Sequence, residues 1–176
     1  ADEPVSMLDV SLRAGVLSLM EEMTDEFGLS VVYISHDLSL LRHMCDRIAI
    51  MYMGKIVEQG PTEEIITDPK HPYTKSLIDA VPVPDPTTQR ERVELQGEVG
   101  DAINVPTGCR FKNRCSEHIG DVCEQVEPPL EPKADIEGER TVACHLYESD
   151  AGFDPEAELA EGAADAEDAE STPADD

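Results

Sequence analysis

The first 80 residues alternate helical and strand-like apolar patterns, and the alternation stops at a proline-rich segment. Residues 10–27 place apolar side chains at helical spacing, with Asp9 as a candidate N-cap and Gly28 as the residue past the end. Residues 29–35 form a short β-branched run, typical of a strand buried on both faces. This order predicts an α/β fold in which helices pack on a mainly parallel sheet.

The alternation of predicted helices and strands continues to Ala80. Gly54 is a candidate turn between two paired strands, and Pro61 opens a helix with acidic residues in its first turn. The predicted elements are a helix over 37–45, strands over 47–53 and 55–58, a helix from 61, and a helix over 71–80.

The character of the chain changes after Ala80. Residues 81–86 carry three prolines and predict a linker, and residues 97–147 contain four of the five cysteines. The last 26 residues are a low-complexity Ala/Asp/Glu tail that we expect to remain disordered. The expected organisation is therefore an α/β unit over 1–80, a Cys-rich unit over 81–149, and an acidic tail over 150–176.

Charge limits the partners of this chain. The formal net charge is −26, from 39 acidic and 13 basic residues, which disfavours binding to nucleic acid or anionic lipid. Residues 151–176 hold ten acidic residues and no basic one. The acid-rich body and tail are also typical of a protein adapted to a salt-rich cytosol, although an ordinary acidic protein fits the composition too.

The cysteines are expected in a reducing compartment. No stretch approaches the ~20 apolar residues of a membrane span, and the N-terminus shows no signal-peptide pattern. The chain opens on Ala1 without an initiator Met, which we interpret as the start of a fragment. Thiols and metal ligands are therefore considered before disulfides.

An acidic pair, Asp2-Glu3, opens the first chemical motif. One carboxylate of such a pair can hold Mg²⁺ through water while its neighbour faces an attacking water. Alone the pair is common on surfaces, but here it starts the run D-E-P-V-S-M-L-D, and after one helix and one strand the chain reads Y-I-S-H-D at 33–37. By itself a His at the end of a strand, such as His36, is more often structural than functional.

These two segments resemble the ATPases of ABC transporters. Residues 2–9 resemble the end of the Walker B motif and the D-loop, and residues 33–37 resemble the switch loop. The resemblance implies that Asp2 binds Mg²⁺, that Glu3 polarises the hydrolytic water or accepts its proton, and that His36 contacts the γ-phosphate of ATP. Asp9 would lie in the D-loop and face a partner subunit. The implied fold is the C-terminal part of a P-loop, RecA-like ATPase domain.

Other family motifs are missing from these residues. The sequence contains no G-x-x-x-x-G-K-[ST] phosphate loop, no Q-loop and no LSGGQ-type signature. The phosphate loop supplies the N–H groups and the Lys that hold ATP. We therefore expect that this polypeptide alone neither binds ATP tightly nor hydrolyses it.

A second segment, D-P-K-H-P-Y-T-K-S-L over 68–77, resembles the start of the C-terminal extension of oligopeptide, dipeptide and nickel importer ATPases. Pro72 suits the first helical position, and Tyr73 and Leu77 are four residues apart on one helix face. For His71 we expect a capping or packing role rather than chemistry.

The four clustered cysteines have the spacing C-x5-C-x7-C-x20-C, which is similar to the same extension. Four thiolates suit an iron–sulfur cluster or zinc, and the spacing matches neither zinc ribbons nor ferredoxins. Our hypothesis is a structural [4Fe–4S] cluster, favoured over Zn²⁺, with reduced thiols or a disulfide pair as the alternative. The expected ligands are Cys109, Cys115, Cys123 and Cys144; Cys45 lies in an apolar stretch and is interpreted as a core residue.

Two functions follow. The first is the ATP-hydrolysing subunit of a peptide or nickel importer at the cytoplasmic face of the membrane, using ATP and Mg²⁺. By resemblance, its partners would be a second ATPase subunit, membrane-spanning permease subunits and an extracytoplasmic peptide-binding protein. The alternative is a non-hydrolysing metal-binding or regulatory module that retains part of an ATPase as scaffold.

Overall fold

A computed structural model describes residues 1–81 and 106–160 of the protein. The α-helices are α1 (Val10–Phe27), α2 (Leu38–Met44), α3 (Thr62–Thr67), α4 (Pro72–Asp79) and α5 (Asp121–Gln125). The strands are β1 (Arg47–Tyr52), β2 (Lys55–Pro61) and β3 (Thr141–Val142), and a short 3₁₀ helix covers Lys112–Arg114. The predicted linker at 82–86 lies outside the described residues.

The strands form one antiparallel sheet in the order β1-β2-β3. β1 and β2 are joined by the two-residue turn Met53-Gly54, in which both residues have positive φ, 45° and 78°. Such a turn has the twist that a tight hairpin needs. The predicted strand–turn–strand is confirmed, and the expected mainly parallel sheet is not what the described residues form.

Burial alternates along β1, so this sheet has one buried face. Ile48, Ile50 and Tyr52 are buried and alternate with exposed residues, as in a sheet with one face on the core. Ala49 and Met51 on the exposed face are also apolar, so the alternation of buried and exposed positions is not visible in the sequence.

Residues 29–35 differ most from expectation. They run extended but contribute a single parallel bridge, between Asp2 and Ile34, and Val32 is 78% exposed. A strand buried on both faces needs neighbours on each side and layers above and below. The described residues supply only the bridge to Asp2, so they do not form the predicted buried strand.

The predicted helices are confirmed with small differences at their ends. Oδ1 of Asp9 accepts a hydrogen bond from the N–H of Leu12 at the start of α1, and Gly28 ends that helix with φ 61°. The apolar side of α1 is largely uncovered among the described residues, with Leu12, Leu19 and Phe27 more than half exposed.

An aromatic cluster joins the first 81 residues to the Cys-rich unit. Phe111 is 1% exposed and packs edge-on against Tyr52, with 5.2 Å between ring centroids. Tyr73 of α4 lies 4.7 Å from Tyr52 and 5.4 Å from Phe111. Buried aromatic pairs of this geometry contribute about 0.5–1.5 kcal/mol each beyond the area they bury.

Arg140 makes a second junction between the two regions. Its guanidinium donates to the carbonyl oxygens of Glu64 and Asp68 and to Oδ2 of Asp68, at 3.2, 2.6 and 3.2 Å. Gly60 leaves room for it, because a Cβ at this position would lie 2.6 Å from Cγ of Arg140. These contacts fix the start of β3 beside the end of β2 that leads into α3.

The acidic tail is partly structured. Residues 155–160 are helical, and Oδ1 of Asp154 accepts hydrogen bonds from the N–H groups of Glu156 and Ala157. Ala and Glu favour helix once a cap has started it, so the expectation of disorder is wrong for this turn. Residues 161–176 lie outside the described part. None of the described helices is long and apolar enough to cross a lipid bilayer.

Candidate functional site

Glu3 and His36 meet at the edge of the molecule. Nδ1 of His36 lies 2.7 Å from Oε1 of Glu3, and the same oxygen accepts the backbone N–H of His36 at 3.2 Å. The His36 side chain is 82% exposed and that of Glu3 36%. The two motifs, which are 33 residues apart, thus place an acid and an imidazole in direct contact where a ligand from solvent can reach them.

Backbone pairing holds this contact in place. The N–H of Glu3 donates to the carbonyl of Ile34 at 2.8 Å, and the N–H of Ile34 donates to the carbonyl of Ala1 at 2.8 Å. After His36, Asp37 caps α2 by accepting the N–H groups of Ser39 and Leu40 on Oδ1. His36 is therefore fixed between a bridged segment and a capped helix.

The other two expected site residues lie apart from this pair. Asp2 is exposed and takes part in the backbone bridge to Ile34. Asp9 is exposed and its carboxylate caps α1. The structure thus brings Glu3 and His36 together and gives Asp9 a local structural task.

Sequence reasoning missed Arg13. Its Nε donates to the carbonyl of Leu8 at 2.8 Å, and its terminal nitrogen donates to the carbonyl of Ser6 at 3.4 Å. Arg13 thereby holds the loop between Glu3 and α1 from the first turn of the helix. Because Arg13 binds backbone carbonyls, no side-chain pattern in the sequence indicates this role.

The H-P-Y segment is held by a buried carboxylate. Glu58 of β2 is fully buried, and its two oxygens accept the backbone N–H groups of Lys70 and His71 at 2.9 and 3.0 Å. These donors precede α4, where the helix dipole also favours negative charge. Glu58 was not predicted, because it is one of several polar residues in β2, beside Lys55 and Gln59.

His71 has the capping role that was expected. Its Nδ1 accepts the N–H of Tyr73 at 3.1 Å, and Pro72 occupies the first helical position. Burial, with a smaller effect of the Lys75 charge, lowers the pKa of His71 to about 4. The imidazole is therefore neutral at pH 7, and with Nδ1 accepting, its proton is on Nε2.

The four cysteines of the extension share one neighbourhood. The N–H of Cys109 donates to the carbonyl of Cys123 at 2.9 Å, and Gly108, with φ 67°, permits this approach because a Cβ there would lie 2.5 Å from the same oxygen. Cys123 and Cys144 are buried, Cys109 and Cys115 are half-buried, and none forms a disulfide.

Three of these thiols, Cys109, Cys115 and Cys144, have a raised pKa when nothing binds them. Burial raises the pKa of Cys109 to about 11 and that of Cys144 to about 12, and it raises the pKa of Cys115 as well. The charges that the other three thiols would carry as thiolates raise the pKa of Cys144 further. Four neighbouring thiolates are costly without a cation among them.

The side chains of the described residues are not arranged around a metal site. Within residues 1–81 and 106–160, no three or more His, Cys, Asp or Glu side chains are grouped as holding a metal ion requires. The donor chemistry, four soft sulfur atoms without disulfides, suits a cluster or zinc, but their arrangement is not that of a ligated ion.

Comparison with known proteins shows which proteins this chain is similar to. Residues 57–123 match the family model described as "Oligopeptide/dipeptide transporter, C-terminal region". The chain is 48% identical over 144 residues to the dipeptide transport ATP-binding protein DppF of Haemophilus influenzae, covering 82% of this chain and 43% of that protein. It is 46% identical over 132 residues to the oligopeptide transport ATP-binding protein OppF of Salmonella typhimurium, covering 74% and 39%.

A third relative, the putative oligopeptide transport ATP-binding protein YkfD of Bacillus subtilis, is 44% identical over 149 residues, which cover 84% of this chain and 44% of YkfD. Most of the chain is therefore similar to ATP-binding proteins of peptide ABC transporters, and residues 57–123 match the C-terminal region of that family. It spans less than half the length of the curated relatives that it matches.

Proposed function

We propose that this chain is part of an ATP-hydrolysing subunit that drives the import of dipeptides or oligopeptides. The observation that carries the proposal is the contact of Glu3 with His36 at 2.7 Å. An acid and an imidazole on adjacent backbone segments, both open to solvent, can hold an attacking water and a terminal phosphate between them. Nickel is a further cargo that the family resemblance allows.

In this proposal Asp2 binds Mg²⁺, Glu3 orients or deprotonates the hydrolytic water, and His36 contacts the γ-phosphate. Asp9, on the loop that Arg13 holds, faces a second ATPase subunit. Since charge developing in the transition state must be met by prepositioned groups, the bridge and the α2 cap that fix Glu3 and His36 support catalysis.

The wider architecture belongs to the same proposal. Residues 1–80 would complete a mainly parallel ATPase sheet with chain that the relatives possess outside the matched region, and residues 29–35 would become a central strand. The uncovered side of α1 and the 78% exposure of Val32 support this, because apolar surface of this kind is usually buried in an assembled domain. Residues 81–149 would be the Cys-rich extension and 150–176 the acidic tail.

Transport requires partners and a location. We infer that the subunit works at the cytoplasmic face of the membrane with a second ATP-binding subunit and permease subunits, to which a peptide-binding protein delivers cargo. The names of the relatives, which are transport ATP-binding proteins, support this arrangement.

The test uses the reading frame extended upstream until it includes a phosphate loop. In that protein Glu3→Gln should lower the rate of ATP hydrolysis by at least about 100-fold while ATP still binds. Glu156→Gln, in the exposed helical turn of the tail, is the matched control and should leave the rate unchanged. Equal rates for Glu3→Gln and the control would overturn the role of Glu3. A separate assay, uptake of labelled dipeptides and oligopeptides, assigns the cargo.

A second function rests on the four thiols of the extension. We infer that Cys109, Cys115, Cys123 and Cys144 bind a structural metal centre, a [4Fe–4S] cluster in preference to Zn²⁺. Their shared neighbourhood and free state support this, since a cation would stabilise the thiolates that burial now disfavours. Binding requires the thiols to move closer together around the metal.

Iron, sulfide and zinc analysis of anaerobically purified chain tests the metal centre. Cys123→Ser should lower the bound metal several-fold, whereas Cys45→Ser, in the C-cap of α2, should retain it. Absence of iron, sulfide and zinc from the unsubstituted chain contradicts the metal centre and leaves the ATPase proposal standing.

A further inference from the structure

A cavity of about 280 Å³ lies between β2 and the Cys-rich unit. It is distinct from the Glu3–His36 pair, because it is lined by the start of β2, by His71, and by residues around 109–111 and 127–130. Its volume is just below the ~300–1,000 Å³ typical of sites for drug-sized ligands, so an occupant would be small.

The mouth of the cavity carries charges of both signs. Oε1 of Glu127 lies 3.0 Å from Nζ of Lys55 and 3.8 Å from Nε of Arg110. Lys55 and Glu127 are each about half exposed, and Arg110 is 19% exposed. Two cations and one carboxylate leave one unit of positive charge at this mouth, in a chain whose net charge is −26.

The interior of the cavity is mainly apolar. Val57, Phe111 and Pro128, which are buried, line it together with Leu130. The buried and neutral His71 also lines it. The cavity thus combines a mainly apolar interior with a charged rim.

We propose that this cavity binds a small zwitterion with an apolar side chain, of the size of an amino acid or a dipeptide. The surplus positive charge of Lys55 and Arg110 takes the ligand carboxylate. Glu127 pairs with both cations in the free chain. When the ligand carboxylate displaces Glu127 from Lys55 and Arg110, Glu127 pairs with the ligand ammonium. The apolar side chain lies between Phe111 and Leu130.

Both charges of the ligand are needed in this arrangement. A carboxylate alone would compete with Glu127 for the cations and leave Glu127 without a partner, while an ammonium alone would meet a rim of net positive charge. Charge complementarity thus selects a zwitterion over a simple anion or cation. The site adds a ligand-sensing function to the proposed transport ATPase and does not require ATP hydrolysis.

Isothermal titration of the chain with leucine, leucinamide and 4-methylpentanoate tests the proposal without ATP. Leucine should bind measurably at concentrations up to about 10 mM. Leucinamide, which lacks the carboxylate, and 4-methylpentanoate, which lacks the ammonium, should each bind about fivefold more weakly or worse. Backbone amide shifts in NMR spectra should move at Val57 and Ala143, which line the cavity.

Lys55→Gln removes one rim charge at an exposed position and should weaken leucine binding about fivefold. The matched control is Arg42→Gln, which breaks another exposed cation–carboxylate pair, with Glu63, neither of which lines the cavity, and it should leave the affinity unchanged. Absence of leucine binding, equal affinity for leucinamide, or equal loss in both variants would overturn the proposal. None of these outcomes bears on ATP hydrolysis, so the two proposals fail separately.

Discussion

His71 donates its backbone N–H to Oε2 of Glu58 over 3.0 Å, and both side chains are buried, with exposures of 1% and 0%. Glu58 lies in β2 and His71 is the N-cap of α4. The bond therefore joins the hairpin to the helix on which the Cys-rich unit packs. The H-P-Y segment is held by this carboxylate as much as by its own residues.

Replacing Glu58 by alanine should destabilise the fold strongly. The change leaves the N–H groups of Lys70 and His71 buried without an acceptor, each at a cost of about 1–3 kcal/mol, so we expect a loss of about 2–4 kcal/mol in the free energy of unfolding. Urea denaturation followed by circular dichroism measures it. Glu58→Gln, which keeps one acceptor oxygen, should lose less, and Glu22→Ala on an exposed side of α1 should change stability by less than about 0.5 kcal/mol. A loss no greater than that of Glu22→Ala would contradict this role.

Acid should destabilise the chain through His71. Because the pKa of His71 is about 4 in the folded chain and about 6.5 when unfolded, the unfolded state binds more protons between these values. The contribution of His71 is therefore complete above about pH 6.5 and is lost as the pH falls to about 4, by roughly 3 kcal/mol.

The control for this prediction is His71→Asn. Asparagine can cap α4 but does not titrate, so the difference in unfolding free energy between the two proteins should change with pH only in the window between about 4 and 6.5. Urea denaturation at a series of pH values measures that difference. A difference that stays constant across the window shows that His71 is not buried as a neutral group.

Local patterns in the sequence predicted the elements well. The bounds of α1, its Asp9 cap and Pro72 at the start of α4 were all expected, because each depends on residues within one turn of helix. Residues 29–35 were assigned as a buried strand from composition alone, and their burial depends on neighbours that local sequence does not reveal. The antiparallel order of the sheet has the same origin, since strand pairing is a non-local choice.

The residues of the candidate site were likewise predicted only in part. Glu3 and His36 were both expected from motif order, and their contact at 2.7 Å agrees with a shared site, while their catalytic roles stay predictions. Arg13, Glu58 and Arg140 were missed, because each acts through backbone carbonyls or N–H groups that no side-chain motif records. The salt-adapted origin suggested by the charge also stays a prediction.

The buried thiols should react slowly in the metal-free chain. With a pKa of about 12 for Cys144, only about one thiol in ten thousand is ionised at pH 8, and the thiolate is the form that alkylating agents attack. Labelling with iodoacetamide followed by peptide mass spectrometry should show Cys144 modified far more slowly in the native chain than in urea. Equal rates in both conditions would show that the thiol is neither buried nor held protonated.

Two glycines should respond to alanine in opposite directions. At Gly60 the new Cβ would lie 2.6 Å from Cγ of Arg140, so Arg140 must move and its bonds to the carbonyls of Glu64 and Asp68 weaken. We expect Gly60→Ala to destabilise the chain by about 1–3 kcal/mol.

Gly15 is the matched control for that substitution, because it lies inside α1 and a Cβ there would meet nothing within 4 Å. Alanine has the higher helix propensity, so Gly15→Ala should stabilise the chain by up to about 1 kcal/mol. Thermal and urea denaturation of both variants measures the two signs. If Gly60→Ala were as stable as the unsubstituted chain while Gly15→Ala gained stability, Arg140 would not be fixed against β2, and the junction between the hairpin and the Cys-rich unit would rest on the aromatic cluster alone.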